Sequence, residues 1–161
     1  MEPEVEADDS SSSKDVEALL DQQVRKIIDQ LNKRDIATPF NEHASHDFQY
    51  EITWPDGRIV PLDLKETIDL MEHYTVEYNQ KSVGEIISSD VAVDAKNGTA
   101  EVWVTLLVHN DNEGQERERI AIYTWWRAGA KDQRSDAGPD EWVWCKAHSS
   151  ASRGPSMPHI T

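Results

Sequence analysis

The segment 98–127 constrains the fold of this chain more than any other stretch. It contains two runs rich in β-branched and aromatic residues, 100–109 and 116–127. The polar residues 111–114 between them are typical of a turn, so the two runs predict an antiparallel hairpin. Both runs are longer than the usual strand of about five or six residues. Long, twisted strands of this kind curl, and we expect them to curl around a helix and to leave a pocket.

The segment 14–34 is the clearest helix in the sequence. Its apolar residues recur at steps of three and four, which places them on one stripe of a helix. These residues are Val16, Leu19, Leu20, Val24, Ile27, Ile28 and Leu31. Ser12 and Asp15 resemble a capping box at its start. A stripe this wide predicts packing against a sheet or against several partners, rather than a coiled coil.

The two ends of the chain differ from the part between them. The segment 1–13 is acidic and low in complexity. It cannot bury enough apolar surface to offset its ordering entropy, so we expect a disordered tail. The last residues, 151–161, contain glycine and proline and predict an irregular tail. One domain over 14–150 is therefore the predicted organisation.

The segment 47–54 alternates strictly between apolar and polar residues, which predicts a half-buried strand. Its apolar side chains are Phe48, Tyr50, Ile52 and Trp54. A short returning strand is expected at 58–60 after a turn. Asp63 and Glu66 then form a second capping-box pattern, which predicts a helix that ends near residue 79. Its inner stripe consists of Leu64, Ile68, Met71, Tyr74 and Tyr78.

The remaining segments complete an α+β pattern. A short helix is the most that 35–45 can hold, and 82–95 predicts a strand with a bulge at Gly84. The segment 129–140 reads as a polar loop, and 141–149 predicts the last strand. The order is helix, short helix, strand, helix and then antiparallel strands.

Charge and composition exclude several classes of function. The 161 residues carry a formal net charge of −15, which repels phosphate backbones and anionic lipid. Nucleic-acid and membrane partners are therefore not expected. No run of roughly 18 apolar residues is present. The single cysteine, Cys145, excludes an internal disulfide, so we expect a cytoplasmic protein.

This order of elements resembles the nuclear transport factor two-like superfamily, and within it the SnoaL-like polyketide cyclases and dehydratases. The resemblance covers about residues 14–150. It depends on the long helix, on DFQYEITWPDG and DLKETIDLMEHY at 47–57 and 63–74, and on the hairpin. The ending EWVWCKAHSSAS at 141–152 is similar to the final strand of that family.

The resemblance implies a cone-shaped fold. In such a fold a curved mixed or antiparallel sheet wraps the long N-terminal helix, and an apolar pocket opens at one end. The family also implies a homodimer through the outer face of the sheet. Its members include isomerases, dehydratases, cyclases and non-catalytic binders, so the fold does not decide the function.

His109 is the first candidate for catalysis. Proton transfer beside a carbonyl or hydroxyl group needs a base near neutral pH and a donor for the developing oxyanion. Scytalone dehydratase, a member of the superfamily, is similar here, because a histidine closes the equivalent strand. Tyr50 falls where this sequence resembles that enzyme's Asp–Tyr pair. Residues 79–81 offer no counterpart of its other catalytic histidine, and the alternative for His109 is a solvated strand end.

Tyr123 and His148 are the other catalytic candidates. The direction of Tyr123 depends on the hairpin register. If His109 pairs with Glu116, Trp103 shares its face with Ile120, Ile122 and Trp126. A slip of one residue replaces them by Ala121, Tyr123 and Trp125. On the last strand, alternation places His148 on one face with Trp142, Trp144 and Lys146, and Cys145 on the other.

Aromatic side chains are the predicted substrate-binding residues. They are Trp54, Trp103, Trp125, Trp144, Phe48 and Tyr74, together with Met71. Flat aromatic walls suit an apolar, ring-containing small molecule, and they suit a dimer interface equally well. The cluster 42–47 holds two histidines, but a polar loop explains it as well, and we expect neither a metal nor a cofactor.

Two hypotheses follow from the sequence. In the first, the chain is a cofactor-free dehydratase, isomerase or cyclase that uses general acid–base chemistry on a polyketide- or terpenoid-like ring. In the second, it is a non-catalytic ligand-binding or dimerisation module with the same fold. An open cavity with converging titratable groups would favour the first hypothesis.

Overall fold

A six-stranded sheet with the order β2-β1-β6-β5-β4-β3 forms the body of the protein. The computed structural model describes residues 2–53, 57–73, 81–110, 116–131 and 140–151. The strands are β1 Ala44–Thr53, β2 Ile59–Leu62, β3 Val83–Asp94, β4 Thr99–His109, β5 Arg117–Arg127 and β6 Trp142–Ala151. The helices are α1 Glu2–Asn32, α2 Ala37–His43, α3 Leu64–Glu72 and α4 Ala128–Lys131. The predicted α+β fold is confirmed.

The sheet is mixed, because its first and last long strands run side by side. β1 pairs with β6 in parallel, and every other neighbouring pair is antiparallel. This pairing brings residues near position 50 next to residues near position 147. It therefore places side chains from both ends of the domain on one surface.

The register of β4 and β5 decides which residues face the helix. Trp103 pairs with Ile122, Val102 with Tyr123, and Val104 with Ala121. Val102, Val104 and Tyr123 are buried, whereas Trp103 is 46 % exposed. We call the buried side the inner face and the side of Trp103 the outer face. Of the two registers open to the sequence, the structure has the one that pairs His109 with Glu116.

Helix α1 packs against the inner face of the curved sheet, as predicted. Leu20, Val24 and Ile27 are almost fully buried in the core. Burial of each such side chain stabilises the fold by roughly 1.5–3 kcal/mol. Leu19, predicted to belong to the same stripe, is instead 42 % exposed.

Hydrogen bonds fix α1 against β3 at both ends of their contact. Near the end of the helix, the Asn32 amide donates to the carbonyl of Gly84 and accepts from its N–H, both at 2.9 Å. Further back, the Ser89 hydroxyl donates to Asp21. Arg25 donates to Ser89 and to Asp21 as well.

The beginning of α1 differs from the prediction. The backbone is helical from Glu2, so Ser12 and Asp15 do not cap its start. The sequence between Glu4 and Lys14 contains no glycine or proline, and Pro3 lies in the first turn, where proline is tolerated. Beyond the first turn, the segment 1–13 therefore contains no helix-breaking glycine or proline, and its expected disorder stays a prediction.

The predicted bulge at Gly84 is wrong. Gly84 pairs regularly with Val108, and the register shift lies between Ile86 and Ser88. Gly84 has a different role, because its backbone N–H and carbonyl both form hydrogen bonds with the amide of Asn32.

The capping box that begins α3 is confirmed. The N–H of Glu66 donates to the Asp63 carboxylate at 2.8 Å, and the N–H of Asp63 donates to the Glu66 carboxylate at 3.1 Å. The predicted end of this helix near residue 79 lies outside the described residues. Within the described ranges, no helix has the length and apolar character needed to cross a membrane.

Candidate active site

Two tyrosines and a strip of small side chains form the most distinctive part of the inner face. Tyr50 of β1 pairs with Ala147 of β6, and Ala147 pairs in turn with Tyr123 of β5. In the next row Ser149 pairs with Ala121. Ala121, Ala147 and Ser149 are buried but small. The side chains beside the two large phenol rings therefore project only a short way from the sheet.

Tyr123 is the most unusual residue of this region. It is only 6 % exposed, and its ring stacks on Trp144 with centroids 5.3 Å apart. Its hydroxyl group has no hydrogen-bond partner among the residues that the structure describes. Burial raises the pKa of Tyr123, and its proximity to Tyr50 raises it further. The phenol therefore stays protonated and remains a donor at any physiological pH.

Tyr50 is half-buried and has a polar environment. Burial raises the pKa of Tyr50. Its hydrogen bond with Ser149 and the positive charge of Arg119 oppose that rise without cancelling it. Tyr50 is therefore also protonated at neutral pH. We call Tyr50, Tyr123, Ser149 and Arg119 the tyrosine site.

The tyrosine site is suited to binding an electron-rich oxygen. Two neutral phenols supply O–H donors on one side of the sheet, and a guanidinium supplies positive charge close to Tyr50. Such donors stabilise a carbonyl oxygen that becomes negative during a reaction. No carboxylate or imidazole among the described residues acts on either phenol. The described residues of the site can therefore donate hydrogen bonds and protons, and none of them serves as a base.

His109, the first catalytic candidate, lies on the other side of the sheet. Its Nε2 is 2.9 Å from Glu85, and its Nδ1 is 3.5 Å from Glu116. Val102 and Val104 lie on the inner face of β4, so strand alternation places His109 on the outer face. The structure does not bring His109 to Tyr50 or Tyr123.

His148 also lies on the outer face. The residues predicted to share its face lie on different faces of the sheet. A register shift at Cys145 separates the pair Trp125–Trp144 from the pair Thr124–Lys146. The bulge turns Trp144 to the inner face and leaves Lys146 and His148 on the outer face. The expectation that Trp144 and His148 share a face is therefore wrong. His148 Nε2 lies 3.0 Å from the hydroxyl of Thr53.

Three of the predicted substrate-binding aromatics belong to the core. Phe48, Trp125 and Trp144 are at most 1 % exposed. Trp144 contacts Phe48 edge-on with centroids 4.8 Å apart, and it also stacks on Phe40. These rings form the core on which the tyrosine site packs, and they are too buried to contact a ligand.

The other predicted substrate-binding residues are spread over the molecule. Trp103 lies on the outer face, so it cannot line the inner face. Met71 packs from α3 against the core. Trp54 and Tyr74 lie outside the described residues. Sequence reasoning missed Arg119 and Ser149, although Arg119 lies four residues before Tyr123 and therefore on its face of the strand.

A groove of about 440 Å³ lies between α3 and the strands β1 and β2. The residues of the tyrosine site do not line it, but Leu62 and Ile52 in its wall pair with Tyr50 and Ser149. It is lined by Ile52, Val60, Leu62, Glu66, Asp69, Leu70 and His73. The volume and the partly apolar lining suit a small organic molecule.

The histidine cluster at 42–47 does not form a metal site in the structure. His43 is half-buried and its ring lies 6.0 Å from that of Trp125, whereas His46 is exposed. Among the described residues, no group of three or more His, Cys, Asp or Glu side chains is placed to hold a metal ion.

Neither a protein-family model nor a curated protein matches the sequence. Solved structures, however, share its fold. An NTF2-like (nuclear transport factor two-like) protein of unknown function from Pseudomonas putida KT2440 has a TM-score of 0.65 at 14 % identity, over 85 % of this chain and 87 % of its own.

Two further solved structures have names that suggest an activity. A protein of the NTF2-like family from Streptomyces avermitilis, provisionally named a dehydratase, has a TM-score of 0.59 at 12 % identity, over 84 % of this chain and 94 % of its own. A protein from Shewanella frigidimarina, provisionally named a ketosteroid isomerase, has a TM-score of 0.59 at 10 % identity, over 80 % and 92 %. At this level of identity the similarity establishes a shared fold.

Proposed function

We propose that the protein binds a ring-containing small molecule with an oxygen of the ligand against Tyr50 and Tyr123, and converts it without a cofactor by isomerisation or dehydration. The observation that carries the proposal is Tyr123, whose side chain is only 6 % exposed and whose hydroxyl forms no hydrogen bond with a described residue. That hydroxyl is therefore free to donate to a ligand. A carbonyl or hydroxyl oxygen of a ligand would satisfy it.

The chemistry follows from the protonation state of the two phenols. In an isomerisation, a base, which the described tyrosine site does not supply, takes a proton from the carbon next to a carbonyl and returns it two carbons further on. In a dehydration, the same kind of proton leaves and a hydroxyl group departs as water. Both reactions develop negative charge on the carbonyl oxygen, which Tyr50 and Tyr123 would stabilise. Loss of one such donor lowers the rate by about 100- to 1,000-fold.

The similar structures support this choice of reaction at the level of the fold. Two of them have provisional names of a dehydratase and a ketosteroid isomerase. The resemblance of the sequence to SnoaL-like proteins supports a polyketide- or terpenoid-like ring as the substrate. The groove beside Tyr50 offers room for the apolar part of such a ring.

A direct test uses a panel of ring-containing β,γ-unsaturated ketones and β-hydroxy ketones. Isomerisation of the former and dehydration of the latter both form a conjugated enone, which is followed by its ultraviolet absorbance. We expect Tyr123→Phe to lower the rate by about 100-fold or more. His109→Ala, on the outer face, is the matched control and should keep the rate. An unchanged rate in Tyr123→Phe would contradict the proposal.

The outer face favours a second candidate function, a dimerisation module without chemistry. Trp103 and Ile87 are 46 % and 55 % exposed, and Ile122 pairs with Trp103. Trp126 lies four residues further along β5, opposite Thr99. Exposed apolar side chains on one face of a sheet favour an interaction surface. The lack of a described base beside the phenols also favours this alternative.

The second candidate predicts a homodimer through the outer face. Trp103→Glu should then turn a dimer into a monomer in sedimentation equilibrium, and Glu101→Gln on the same strand should not. If the wild-type chain sediments as a monomer at high concentration, this function is wrong. Formation of an enone by the wild-type protein would show catalysis whatever the oligomeric state.

A further inference from the structure

Arg119 occupies the inner face of β5 beside the tyrosine site. It pairs with Leu106 of β4 and with Ala151 of β6, and it lies two residues before Ala121 on the same face. Its positive charge reaches Tyr50, where it lowers the pKa of the phenol against the effect of burial. The guanidinium therefore lies close to the oxygen that the proposed function assigns to ligand binding.

Arg119 has no hydrogen bond or ion pair with any side chain among the described residues. Arg25, by contrast, donates to Asp21 at 2.9 Å, and Arg34 donates to the carbonyl of Ser82 at 2.7 Å. Arg119 is half-buried, so part of its hydration is lost without a replacement partner.

We infer that Arg119 binds a carboxylate group of the ligand, so that the tyrosine site takes a ring-containing keto acid or hydroxy acid. A guanidinium presents parallel N–H donors that match the two oxygens of a carboxylate. The tyrosine hydroxyls then hold the neutral oxygen of the same ligand. This inference rests on the proposed function, because it assumes that the ligand occupies the tyrosine site.

The charge of the protein favours a carboxylate over a phosphate. One guanidinium balances a single negative charge, whereas a phosphate monoester carries close to two at neutral pH. The net charge of −15 on the protein repels the second negative charge of the phosphate. The small side chains of Ala121 and Ser149 leave the space between Arg119 and the phenols free of bulky protein groups.

The experiment compares two probes that differ by one group. Acetylnaphthalene presents a ring and a ketone, and acetylnaphthoate presents the same ring and ketone with a carboxylate. Binding of each to the full chain is measured by isothermal titration calorimetry at neutral pH. We expect acetylnaphthoate to bind at least about ten times more tightly than acetylnaphthalene, because its carboxylate gains a charge-assisted hydrogen bond.

The variants assign that preference to one residue. Arg119→Met should abolish the preference for acetylnaphthoate, because it lowers the affinity for acetylnaphthoate much more than the affinity for acetylnaphthalene. Arg25→Met removes the same charge from the surface of α1 and should keep the preference. Arg119→Lys retains the charge without the paired donors and should show an intermediate preference, which tests the inference even if the methionine variant does not fold.

The outcomes separate this inference from the proposed function. If Arg119→Met keeps the preference, or if Arg25→Met loses it equally, the carboxylate assignment is overturned. The proposed function then still holds, provided that Tyr123→Phe weakens binding of both probes. If neither probe binds, or if Tyr123→Phe leaves both affinities unchanged, the proposed function fails and the inference fails with it.

Discussion

Tyr50 and Tyr123 lie in one row of the inner face, on either side of Ala147, which pairs with both of them. The two phenols are close enough for the negative charge of one to raise the pKa of the other. They therefore act as a pair of neutral donors. Only Tyr50 uses its hydroxyl within the described protein, in its hydrogen bond with Ser149.

Replacement of Tyr123 by phenylalanine should leave the protein stable. The hydroxyl has no partner among the described residues, so its removal breaks no hydrogen bond. We expect the free energy of unfolding to stay within about 1 kcal/mol of the wild type or to rise. Urea denaturation followed by tryptophan fluorescence measures it. Tyr50→Phe, which leaves Ser149 without its partner, should instead lose about 1 kcal/mol.

Asn32→Ala should destabilise the contact between α1 and β3. The substitution removes two hydrogen bonds to the backbone of Gly84 and leaves a half-buried N–H and C=O without them. We expect a loss of about 1–3 kcal/mol in the free energy of unfolding. Hydrogen exchange at the Gly84 amide should become faster. Gln22→Ala on the exposed side of α1 is the control, and an equal loss there would contradict the interpretation.

Trp144→Ala should destabilise the core, because Trp144 is 1 % exposed and contacts Phe40, Phe48 and Tyr123. Truncation of a buried tryptophan to alanine costs about 3–5 kcal/mol. Chemical denaturation measures the change. Trp103→Ala, the same substitution on the outer face, should cost clearly less. If the two losses are equal, Trp144 does not have the core role that its contacts indicate.

His109 should make stability depend on pH above its ordinary pKa of 6.5. Its hydrogen bond with Glu85 raises the pKa of His109 above the ordinary value of 6.5, and the nearby Glu116 raises it further. The protonated ring therefore stabilises the folded state below pH 6.5, and this contribution is lost as the pH rises through the raised pKa. The melting temperature of the wild type should fall across this range.

His109→Gln is the control for this pH dependence. Glutamine can still donate to Glu85 but does not titrate, so its melting temperature should vary less with pH over the same range. The effect should also decrease at high salt, because the ring and both carboxylates are partly exposed. A wild type and a variant with parallel melting curves would show that His109 does not titrate in this range.

Alternation along each strand predicted much of the inner face correctly. The segment 47–54 places Phe48 and Ile52 inward because side chains in a strand change sides at every residue, which is a property of the local backbone. Alternation fails at Cys145, where the bulge reverses the faces of the residues that follow it. A bulge depends on the fit to the neighbouring strand, which residues 141–149 do not encode by themselves.

The sequence by itself determined most of the helices and strands, although not the start of α1 or the short helix α4, since helical periodicity, strand alternation and the capping box at Asp63 are local patterns. Only the tertiary structure decided that Trp103 pairs with Ile122 and that β1 runs parallel to β6. Those pairings decide which side chains meet. Tyr50, Ser149 and Arg119 come from three strands that are distant in the chain, and packing around α1, rather than any local preference, sets the register that brings them together.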